Sequence, residues 1–392
     1  MDPHQKLKVW FLSGWYPTRV HDTLGNFVQR HAASVALYAD VTVIHVCTDE
    51  KLNKEPEWVT TRRDGISEWI CYVPGNICRG PWAFFKRYLV FRKQYLRMAE
   101  AIQQKDGAPD ILHANVLYPV TLFARILARK FKVPFVVTEH WTGYLPEDPV
   151  GMPIIQRSLS KRMARASSCM LPVTEHLAKA MQDKGLKGRY HVISNVVDTE
   201  IFLPSEKIHD GKTHLMHIST LFEPQKNVNG LLEALSILKE SHKNFVLQVI
   251  SDGDFSSYGD RVSELGLNDH VVFLGKLNAV EVAGQLSQCH VLLLSSRYEN
   301  FPCVIPEALS CGVPVISTNV GGIAEHLQPA LGVLVEAFDM KAYASELADF
   351  MDHPGRYEED DLRAYAVAHF SKSVIGRQFM EVYQKVLNNI VS

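Results

Sequence analysis

The strongest constraint on the fold of this chain is a rhythm of short apolar runs and helical patterns, which occurs twice. In the N-terminal half, apolar runs rich in β-forming residues alternate with amphipathic stretches such as 26–38 and 120–131. A polar stretch without periodicity, at 198–213, precedes a second series of the same kind. Because crossover helices between strands produce parallel sheets, the sequence predicts an α/β chain with two doubly wound domains facing each other across a cleft.

Both domains are expected to be Rossmann-like, with boundaries at 1–200 and 201–370. A long amphipathic helix at about 371–392 is expected to pack back on the first domain. The strands expected in the first domain are 8–12, 41–46, 68–73, 111–114, 135–139, 168–173 and 191–194; those in the second are 214–219, 245–251, 270–274, 290–294, 313–317 and 332–335. Open parallel sheets bind ligands at the carboxyl ends of their strands, so the cleft is the expected site.

Composition and charge narrow the functional classes. The 392 residues are 46% hydrophobic and 21% charged, with no apolar run long enough to span a membrane and no secretory signal pattern, so a cytoplasmic protein is expected. Seven scattered cysteines without a C-x-x-C pair favour reduced thiols over disulfides or zinc. Residues 1–200 carry 27 Lys and Arg against 19 Asp and Glu. This excess of positive charge favours a partner with an anionic surface, or an anionic substrate. An uneven distribution of surface charges between helices is the alternative explanation.

Two carboxylates lie in an otherwise apolar segment, "ENFPCVIPEALSCG". Glu299 falls in the loop after the strand 290–294, and Glu307 in the first turn of a helix expected to begin at Pro306. Free backbone amides at Asn300, Phe301 and Cys303 would point with that helix N-terminus towards an anion. Carboxylates beside such amides suit a ligand with both hydroxyl groups and phosphates, such as a nucleotide sugar.

Two further elements strengthen the expectation of a phosphate site. Lys226 lies in a loop between a strand and a helix, where a lysine can hold a phosphate. Gly321 and Gly322 follow another strand, where glycines allow close approach to a pyrophosphate. Taken singly, the glycines are better explained as helix caps and Lys226 as a solvated surface charge, but together they favour a phosphate site at one sheet edge.

The segment "ENFPCVIPEALSCGVPVISTNVGGIAE" resembles the E-x7-E signature of the family 4 retaining glycosyltransferases, which have the GT-B fold. "HVISNVVDTEIF", "SDGDF", "VVFLGKL" and "LGVLVE" resemble further elements of that family in the same order. The resemblance covers nearly the whole C-terminal half. In the N-terminal half it is carried by "SGWYPTRVHDTLGNFVQRHA", "DILHANVLYP" and "PFVVTEHWTGY".

The resemblance implies a role for individual residues of this chain. Glu299 would bind sugar hydroxyls, Lys226 the diphosphate, and His140 would line the cleft near the transferred sugar; these three form the expected catalytic set. Glu307 would bind the ribose hydroxyls. The other expected donor-binding residues are Asn300, Phe301, Pro302, Cys303, Gly253, Lys276 and Thr220.

A loop of the first domain would approach the acceptor and the diphosphate. Gly25 and Asn26, in "TLGNF", are placed there by the resemblance. His113 ends the strand 111–114 facing the cleft, where it is either a ligand contact or a structural histidine.

One departure from the family pattern concerns the diphosphate. The family commonly has Gly–Arg–Leu where this chain has Ser219, Thr220 and Leu221, so Lys226, helix amides and another cation would have to stabilise the leaving group.

Asp252 and Asp254 form a D-x-D pattern, which we interpret as a turn rather than a metal site. No metal and no cofactor are expected.

The function expected from these features is transfer of a hexosyl or N-acetylhexosaminyl group with retention of configuration. The donor would be a UDP-sugar or GDP-sugar, and the acceptor a glycan, a lipid-linked compound or another hydroxyl compound. Such a reaction would serve polysaccharide or glycoconjugate synthesis. A nucleotide-sugar epimerase and a catalytically weak subunit that binds sugar nucleotides stay open as alternatives. No nucleic-acid partner is expected.

The stretch Arg79–Arg97 carries six basic residues and six aromatics. A basic amphipathic helix of this kind can lie on an anionic bilayer, which would make the protein peripheral on the inner face of the membrane. A core-packing helix with a solvated basic face is the alternative.

Overall fold

Two parallel sheets, one after the other along the chain, organise the molecule. The computed structural model describes residues 6–78, 83–149 and 151–388. Its strands are β1 Lys8–Ser13, β2 Asp40–Asp49, β3 Glu57–Arg63, β4 Ile66–Pro74, β5 Ile111–Asn115, β6 Phe135–Glu139, β7 Cys169–Pro172, β8 Thr213–Ile218, β9 Phe245–Ile250, β10 Val271–Gly275, β11 Val291–Leu294, β12 Val315–Thr318 and β13 Gly332–Val335.

The helices lie mostly between consecutive strands. They are α1 Asn26–Ala36, α2 Ala83–Asp106, α3 Val120–Phe131, α4 Ile154–Ala166, α5 Glu175–Asp183, α6 Glu223–Lys226, α7 Val228–Leu238, α8 Ser256–Glu264, α9 Ala279–Gln288, α10 Val304–Ser310, α11 Met340–Asp352, α12 Glu359–Phe370 and α13 Lys372–Leu387. No helix in the described ranges combines the length and apolar character that a membrane crossing needs.

The first sheet has the order β3-β4-β2-β1-β5-β6-β7, and the second β10-β9-β8-β11-β12-β13. Every recorded pairing is parallel except that of β3 with β4. The predicted α/β class with two doubly wound lobes is therefore confirmed. We call the part built on the first sheet the first lobe and the part built on the second sheet the second lobe.

Side chains of each central strand alternate between two apolar layers, as a pleated strand requires. In β1, Trp10 and Leu12 enter the layer covered by α2–α5, whereas Val9 and Phe11 enter the layer covered by α1 and α13. Helix α13 belongs to the first lobe in space, because it packs on α1. A Cβ on Gly376 would lie 2.2 Å from the carbonyl oxygen of Ser34. Residues 389–392, at the end of the helix predicted for 371–392, lie outside the described residues.

Two predictions about strands were wrong. Residues 191–194 do not form a strand, since only an isolated bridge joins Tyr190 to Met170, although the His191 N–H donates to the Met170 carbonyl oxygen. Strand β3 was missed because it lies at the edge of the sheet with its second half exposed, so its sequence has no apolar alternation.

Candidate functional site

A cavity of about 690 Å³ lies between the two lobes, near the carboxyl ends of their strands. The first lobe contributes Asp22, Thr23, Asn26 and Arg30 to its lining; the second contributes Ile218, Lys276, Leu277, Asn278, Cys303 and Glu307. Charged and polar side chains therefore face one another across a cavity wide enough for a ligand.

The two predicted carboxylates lie close together along the chain: Glu307 is in helix α10, and Glu299 is in the loop that precedes this helix. The helix begins at Val304 and not at Pro306, which is its third residue. A proline is tolerated there because the first turn of a helix has no intrahelical partner for its N–H groups. The backbone N–H groups of Asn300, Phe301, Cys303 and Val304 donate to no acceptor among the described residues. These N–H groups are therefore unpaired within the described structure, and ligand binding by the first three stays a prediction.

Glu307 forms an ion pair that crosses the cleft. Nη1 of Arg30, on α1 of the first lobe, lies 2.5 Å from Oε1 of Glu307, and the two side chains are only 16% and 6% exposed. The guanidinium also lies over the ring of Phe202. Burial is the largest single influence and lowers the pKa of Arg30, but Glu307, Cys303 and Asp198 together raise it by more, so the net shift of the pKa is upwards. Arg30 is thus firmly charged in a place where sequence analysis had assigned no cation.

Glu299 forms a second ion pair, within the second lobe. Nζ of Lys226, the last residue of α6, donates to Oε1 of Glu299, and Ser296 Oγ donates to the same oxygen at 2.8 Å. Gln225 Nε2 approaches the other carboxylate oxygen at 3.3 Å. The structure thus brings together the predicted sugar-binding acid and the predicted diphosphate-binding lysine, although they are 73 residues apart.

His140 lies where the two lobes touch. Its carbonyl oxygen accepts a hydrogen bond from Asn300 Nδ2 at 2.5 Å, and its ring packs in tilted contacts against Phe27 and His31. Two polar atoms at this contact, His140 Nε2 and Asn300 Oδ1, are buried without a hydrogen-bond partner. Burial, reinforced by His31 and His113, holds the pKa of His140 well below its ordinary value, so the ring is neutral. A neutral ring with a free nitrogen is suited to bind a ligand hydroxyl.

Glu139 supports His140 from behind and was missed by sequence analysis. Its buried carboxylate accepts the backbone N–H groups of Leu117, His140 and Trp141 at 2.8, 2.9 and 3.0 Å. Burial raises the pKa of Glu139, while the three backbone hydrogen bonds act in the opposite direction. The acid at the end of β6 in "TEHW" was visible in the sequence, but its part in fixing the loop was not.

The loop before α1 brings the first lobe to the cavity. Gly25 has φ +76°, and a Cβ there would lie 2.3 Å from the Trp15 carbonyl group, so only glycine fits. Asn26 begins α1 and lines the cavity. Nζ of Lys276 pairs with Asp22, so this predicted donor-site residue also lies at the cavity, with a partner from the opposite lobe.

Thr220 and Gly253, two of the predicted donor-binding residues, lie beside one another. A Cβ on Gly253 would lie 2.3 Å from the Thr220 carbonyl oxygen, and the Gly253 N–H donates to Ser251 Oγ. In the neighbouring D-x-D pattern, Asp252 accepts a hydrogen bond from Thr23, and Asp254 accepts the N–H of Ser256 at the start of α8. Among the described residues no group of three or more His, Cys, Asp or Glu is arranged to hold a metal ion.

The remaining predicted donor-site residues differ in their accessibility. Phe301 is buried against His326 and Phe370, and its carbonyl oxygen accepts a hydrogen bond from Asn195. Pro302 is half-buried and precedes α10. Cys303 caps α10 and lines the cavity, and burial raises the pKa of its thiol to about 12. These residues shape the site, and the thiol is protonated.

The assignment of His113 to the ligand loop was wrong. Its Nδ1 lies 2.6 Å from the hydroxyl of Tyr383 on α13, and its Nε2 lies 2.6 Å from Thr138 Oγ1. Both ring nitrogens are therefore occupied within the core. His113 joins β5, β6 and the returning C-terminal helix, and the structural alternative is the correct one.

Helix α2 combines the two interpretations offered for Arg79–Arg97. Residues 79–82 lie outside the described residues. In its second half, Tyr95, Met98 and Ile102 are buried in the core. In its first half, Phe84, Phe85, Leu89 and the basic side chains are exposed; the basic ones are Lys86, Arg87, Arg92, Lys93 and Arg97.

Comparison with known proteins gives a consistent result for both lobes. A family model described as "Glycosyltransferase Family 4" matches residues 31–201, and one described as "Glycosyl transferases group 1" matches residues 199–367. N-acetyl-alpha-D-glucosaminyl L-malate synthase of Bacillus anthracis is 27% identical over 312 residues, which cover 75% of this chain and 78% of that protein.

Solved structures resemble the whole chain. Sucrose-phosphate synthase from Thermosynechococcus elongatus matches with a TM-score of 0.76 at 19% identity, covering 98% of this chain and 100% of the other. The Anabaena protein HepE in complex with UDP matches with a TM-score of 0.73 at 17% identity, covering 97% and 100%. These matches confirm the fold that was predicted for both lobes together.

Proposed function

This chain belongs to the family 4 glycosyltransferases with the GT-B fold, and from that premise we propose that it takes its sugar from a nucleotide-sugar donor bound in the interlobe cavity. One observation carries the proposal. Two buried carboxylates, Glu299 and Glu307, are each paired with a cation; Glu307 and Arg30 line that cavity, and the unpaired backbone amides lie between the two acids along the chain. Ribose and sugar hydroxyls suit the carboxylates, and a diphosphate suits the cations and amides.

The leaving group is stabilised by fixed positive charge. A nucleoside diphosphate departs readily when donors are already aimed at its developing charge. Lys226 in the second lobe and Arg30 in the first lobe are cations with little exposure. Arg30 would act in place of the family arginine, whose position in this chain is occupied by Thr220. Donor binding would release each cation from its carboxylate, so that hydroxyl groups and phosphates replace the two ion pairs.

The transfer is proposed to be metal-independent and to retain the anomeric configuration. In this scheme the acceptor hydroxyl attacks from the face that the diphosphate leaves, and the departing phosphate takes the hydroxyl proton. The new glycosidic bond forms as the bond between sugar and phosphate breaks. His140 would orient the sugar through its unpartnered Nε2, since its low pKa makes it a poor acid.

The donor is proposed to be a UDP-sugar or GDP-sugar carrying a hexose or N-acetylhexosamine. HepE was solved with UDP, which supports a uridine nucleotide. The acceptor is proposed to be a glycan or a lipid-linked hydroxyl compound, and exposed Phe84, Phe85 and Leu89 among basic residues of α2 favour an acceptor at an anionic membrane surface. Salt-sensitive sedimentation with anionic liposomes would support that contact, and its absence would contradict it.

The test of the proposed function combines calorimetry with a panel of nucleotide sugars and detection of released nucleoside diphosphate. We expect Lys226→Ala and Glu307→Ala each to lower turnover by about 10²–10³-fold, the usual effect of losing one such group. Exposed Lys243→Ala is the matched control and should leave turnover unchanged. Circular dichroism would verify the fold of each variant.

The outcome also separates the alternatives. Thr220 in place of the family arginine favours a weakly active binding subunit, which would bind a nucleotide sugar without releasing nucleoside diphosphate. An epimerase would interconvert sugars without an acceptor. Near-normal turnover in both the Lys226 and Glu307 variants would contradict the site.

A further inference from the structure

A second cavity, of about 340 Å³, lies within the first lobe, and no described residue lines both this cavity and the interlobe cavity. We call it the first-lobe cavity. It lies beside the carboxyl ends of β1 and β2 and is covered by the first half of α2 and the start of α3. Aromatic side chains form much of its wall: Tyr16, Phe84, Tyr88, Phe91, Tyr118 and Phe123. Enclosed, largely apolar spaces of this size are typical of sites for small molecules.

A buried nitrogen is available to an occupant of the first-lobe cavity. His45, on β2, lines the cavity and is only 3% exposed. Its Nδ1 lies 2.9 Å from the Ser13 carbonyl oxygen, and burial lowers the pKa of His45 to about 4. The ring is therefore neutral, with its hydrogen on Nδ1 and a lone pair on Nε2. Nε2 has no hydrogen-bond partner among the described residues, so it is suited to accept a hydrogen bond from a hydroxyl group.

The size and chemistry of the wall define the class of ligand. An apolar cavity of about 150 Å³ holds benzene, so a volume of about 340 Å³ has room for two fused rings. Aromatic walls suit a planar ring, and the lone pair of His45 suits one hydroxyl group. A glycan does not match, because most of its hydroxyl groups would be buried without partners. The matching ligand is a compact aromatic alcohol.

The loop between β1 and α1, residues 14–25, is a wall of both cavities. Four of its side chains line the first-lobe cavity: Tyr16, Thr18, His21 and Leu24. Three others line the interlobe cavity: Pro17, Asp22 and Thr23. A ligand on one side of loop 14–25 therefore restricts the positions that the loop can take on the other side.

The side of loop 14–25 that faces the interlobe cavity is bonded to the second lobe. Thr23 Oγ1 donates to Asp252 at 2.7 Å, and Nζ of Lys276 pairs with Asp22. On the opposite side, Leu24 is still 43% exposed. An apolar ligand in the first-lobe cavity would cover Leu24 and stabilise the loop position in which both bonds to the second lobe are made.

We infer that the first-lobe cavity binds a compact aromatic alcohol as an effector, whose hydroxyl group donates to His45 and whose rings pack against loop 14–25. The occupied cavity favours the loop position that is bonded to the second lobe, and so the arrangement in which both lobes contact the donor. The effector site goes beyond the proposed function, whereas its effect on the donor rests on that function. Because coupling between two sites is reciprocal, each ligand strengthens binding of the other by the same factor.

Calorimetry with 2-naphthol and with naphthalene tests the site. We expect 2-naphthol to bind about tenfold more tightly, because naphthalene leaves the buried Nε2 of His45 unpaired. His45→Phe should remove this preference. Equal binding of the two compounds by the unaltered chain would overturn the inference.

A second variant tests the position of the site without changing His45. Leu122→Trp, on α3, fills the first-lobe cavity and should weaken binding of 2-naphthol about tenfold or more. Leu37→Trp is the matched control, because Leu37 is 51% exposed and lines neither cavity. Circular dichroism would verify the fold of both variants. Unchanged binding by Leu122→Trp would place the alcohol elsewhere and overturn the inference.

Titration with UDP tests the coupling. With the first-lobe cavity saturated by 2-naphthol, UDP should bind at least about fivefold more tightly. Asp22→Asn/Thr23→Ala should still bind 2-naphthol but lose this effect, because the loop is no longer bonded to the second lobe. An unchanged affinity for UDP would overturn the inference. Glycosylation of 2-naphthol by the chain supplied with UDP-sugars would also overturn it, since the alcohol would then be an acceptor.

Failure of this inference is distinguishable from failure of the proposed function. A chain that binds UDP but not 2-naphthol overturns the inference alone. A chain that binds 2-naphthol but no nucleotide contradicts the proposed function alone. Hydrogen exchange of loop 14–25 then tests the effector without a nucleotide: slower exchange with 2-naphthol supports its action on the loop, and unchanged exchange overturns it.

Discussion

At the scale of single residues, the two acid–cation pairs of the candidate site differ in which parts of the molecule hold them together. Glu299 and Lys226 belong to the same lobe, so their contact depends on the second sheet alone. Glu307 and Arg30 come from different lobes, so their contact exists only when the cavity is closed around them. If the donor binds at Glu307 as proposed, it must compete with Arg30, which would link donor binding to the arrangement of the two lobes.

A double-mutant cycle tests whether Arg30 and Glu307 act as a unit. Breaking a buried ion pair by removing one partner costs about 3–5 kcal/mol, because the other charge stays buried and unpaired. We expect Arg30→Met and Glu307→Gln each to lower the free energy of unfolding by roughly that amount, measured in urea. The double variant Arg30→Met/Glu307→Gln should recover most of the loss.

Activity should not follow stability in this cycle. If Arg30 and Glu307 also bind the donor, the double variant is a well-folded protein whose turnover stays about 10²–10³-fold low. Strictly additive losses of stability would show that the pair does not form in solution. Recovery of turnover together with stability would show that its role is only structural.

Sequence reasoning found the groups of the site better than it found their partners. Glu299, Glu307 and Lys226 were predicted because each follows a strand at the edge where ligands bind. Arg30 was not, since it lies 277 residues from Glu307 and the sequence does not specify how the lobes face each other. His113 was ambiguous for the same reason, because its partner Tyr383 arrives from the far end of the chain.

At the scale of elements, the turn after β12 supports the loop that carries Glu299. Gly321 has φ +59°, and a Cβ on it would lie 1.7 Å from the Glu299 carbonyl oxygen. The N–H of Gly322 donates to the carbonyl oxygen of Asn300 at 2.9 Å. The two glycines therefore allow two backbone segments of the protein to approach, which is a different use from the pyrophosphate contact expected for them.

We expect Gly321→Ala to displace Glu299 and to reduce both stability and turnover. Forcing a non-glycine residue into this backbone region costs about 1–3 kcal/mol, and the collision with the Glu299 carbonyl adds to it. Gly259→Ala is the matched control, because Gly259 lies within α8 and a Cβ there would meet nothing within 4 Å. The control should be neutral or about 0.5–1 kcal/mol more stable.

Thermal unfolding and turnover of the two glycine variants give the answer directly. A Gly321→Ala protein with unchanged melting temperature and activity would contradict the close approach of the two segments.

The boundaries of the strands and helices were largely predictable, because buried parallel strands are short apolar runs. Strand β3 was not, because pairing at a sheet edge needs no apolar pattern.

At the scale of the whole molecule, buried histidines couple folding to pH. Burial lowers the pKa of His31, His45, His217 and His326 to about 4. The pKa values of His113 and His140 lie well below the ordinary value, again chiefly through burial. These side chains are distributed over both lobes and their contact, so their protonation affects the molecule as a whole.

The sign of the effect follows from counting protons. Between pH 6.5 and about 4 the six histidines bind protons when the chain is unfolded but stay neutral when it is folded. Because the unfolded chain then binds more protons, the free energy of unfolding is fully present above pH 6.5 and is lost as pH falls through this window. Each such histidine contributes a slope of about 1.4 kcal/mol per pH unit once the pH is below 6.5.

Urea unfolding at pH 7.0, 6.0 and 5.0 measures this slope, and single substitutions show how much each histidine contributes to it. His326→Gln should reduce the slope by about 1.4 kcal/mol per pH unit, because one buried histidine no longer titrates on unfolding. His353→Gln, at a position 67% exposed, should leave the slope unchanged. Stability that does not change between pH 7.0 and 5.0 would mean that these rings reach water in the folded protein. The packing of His140 against Phe27 and His31, and with it the closed contact between the lobes, would then be wrong.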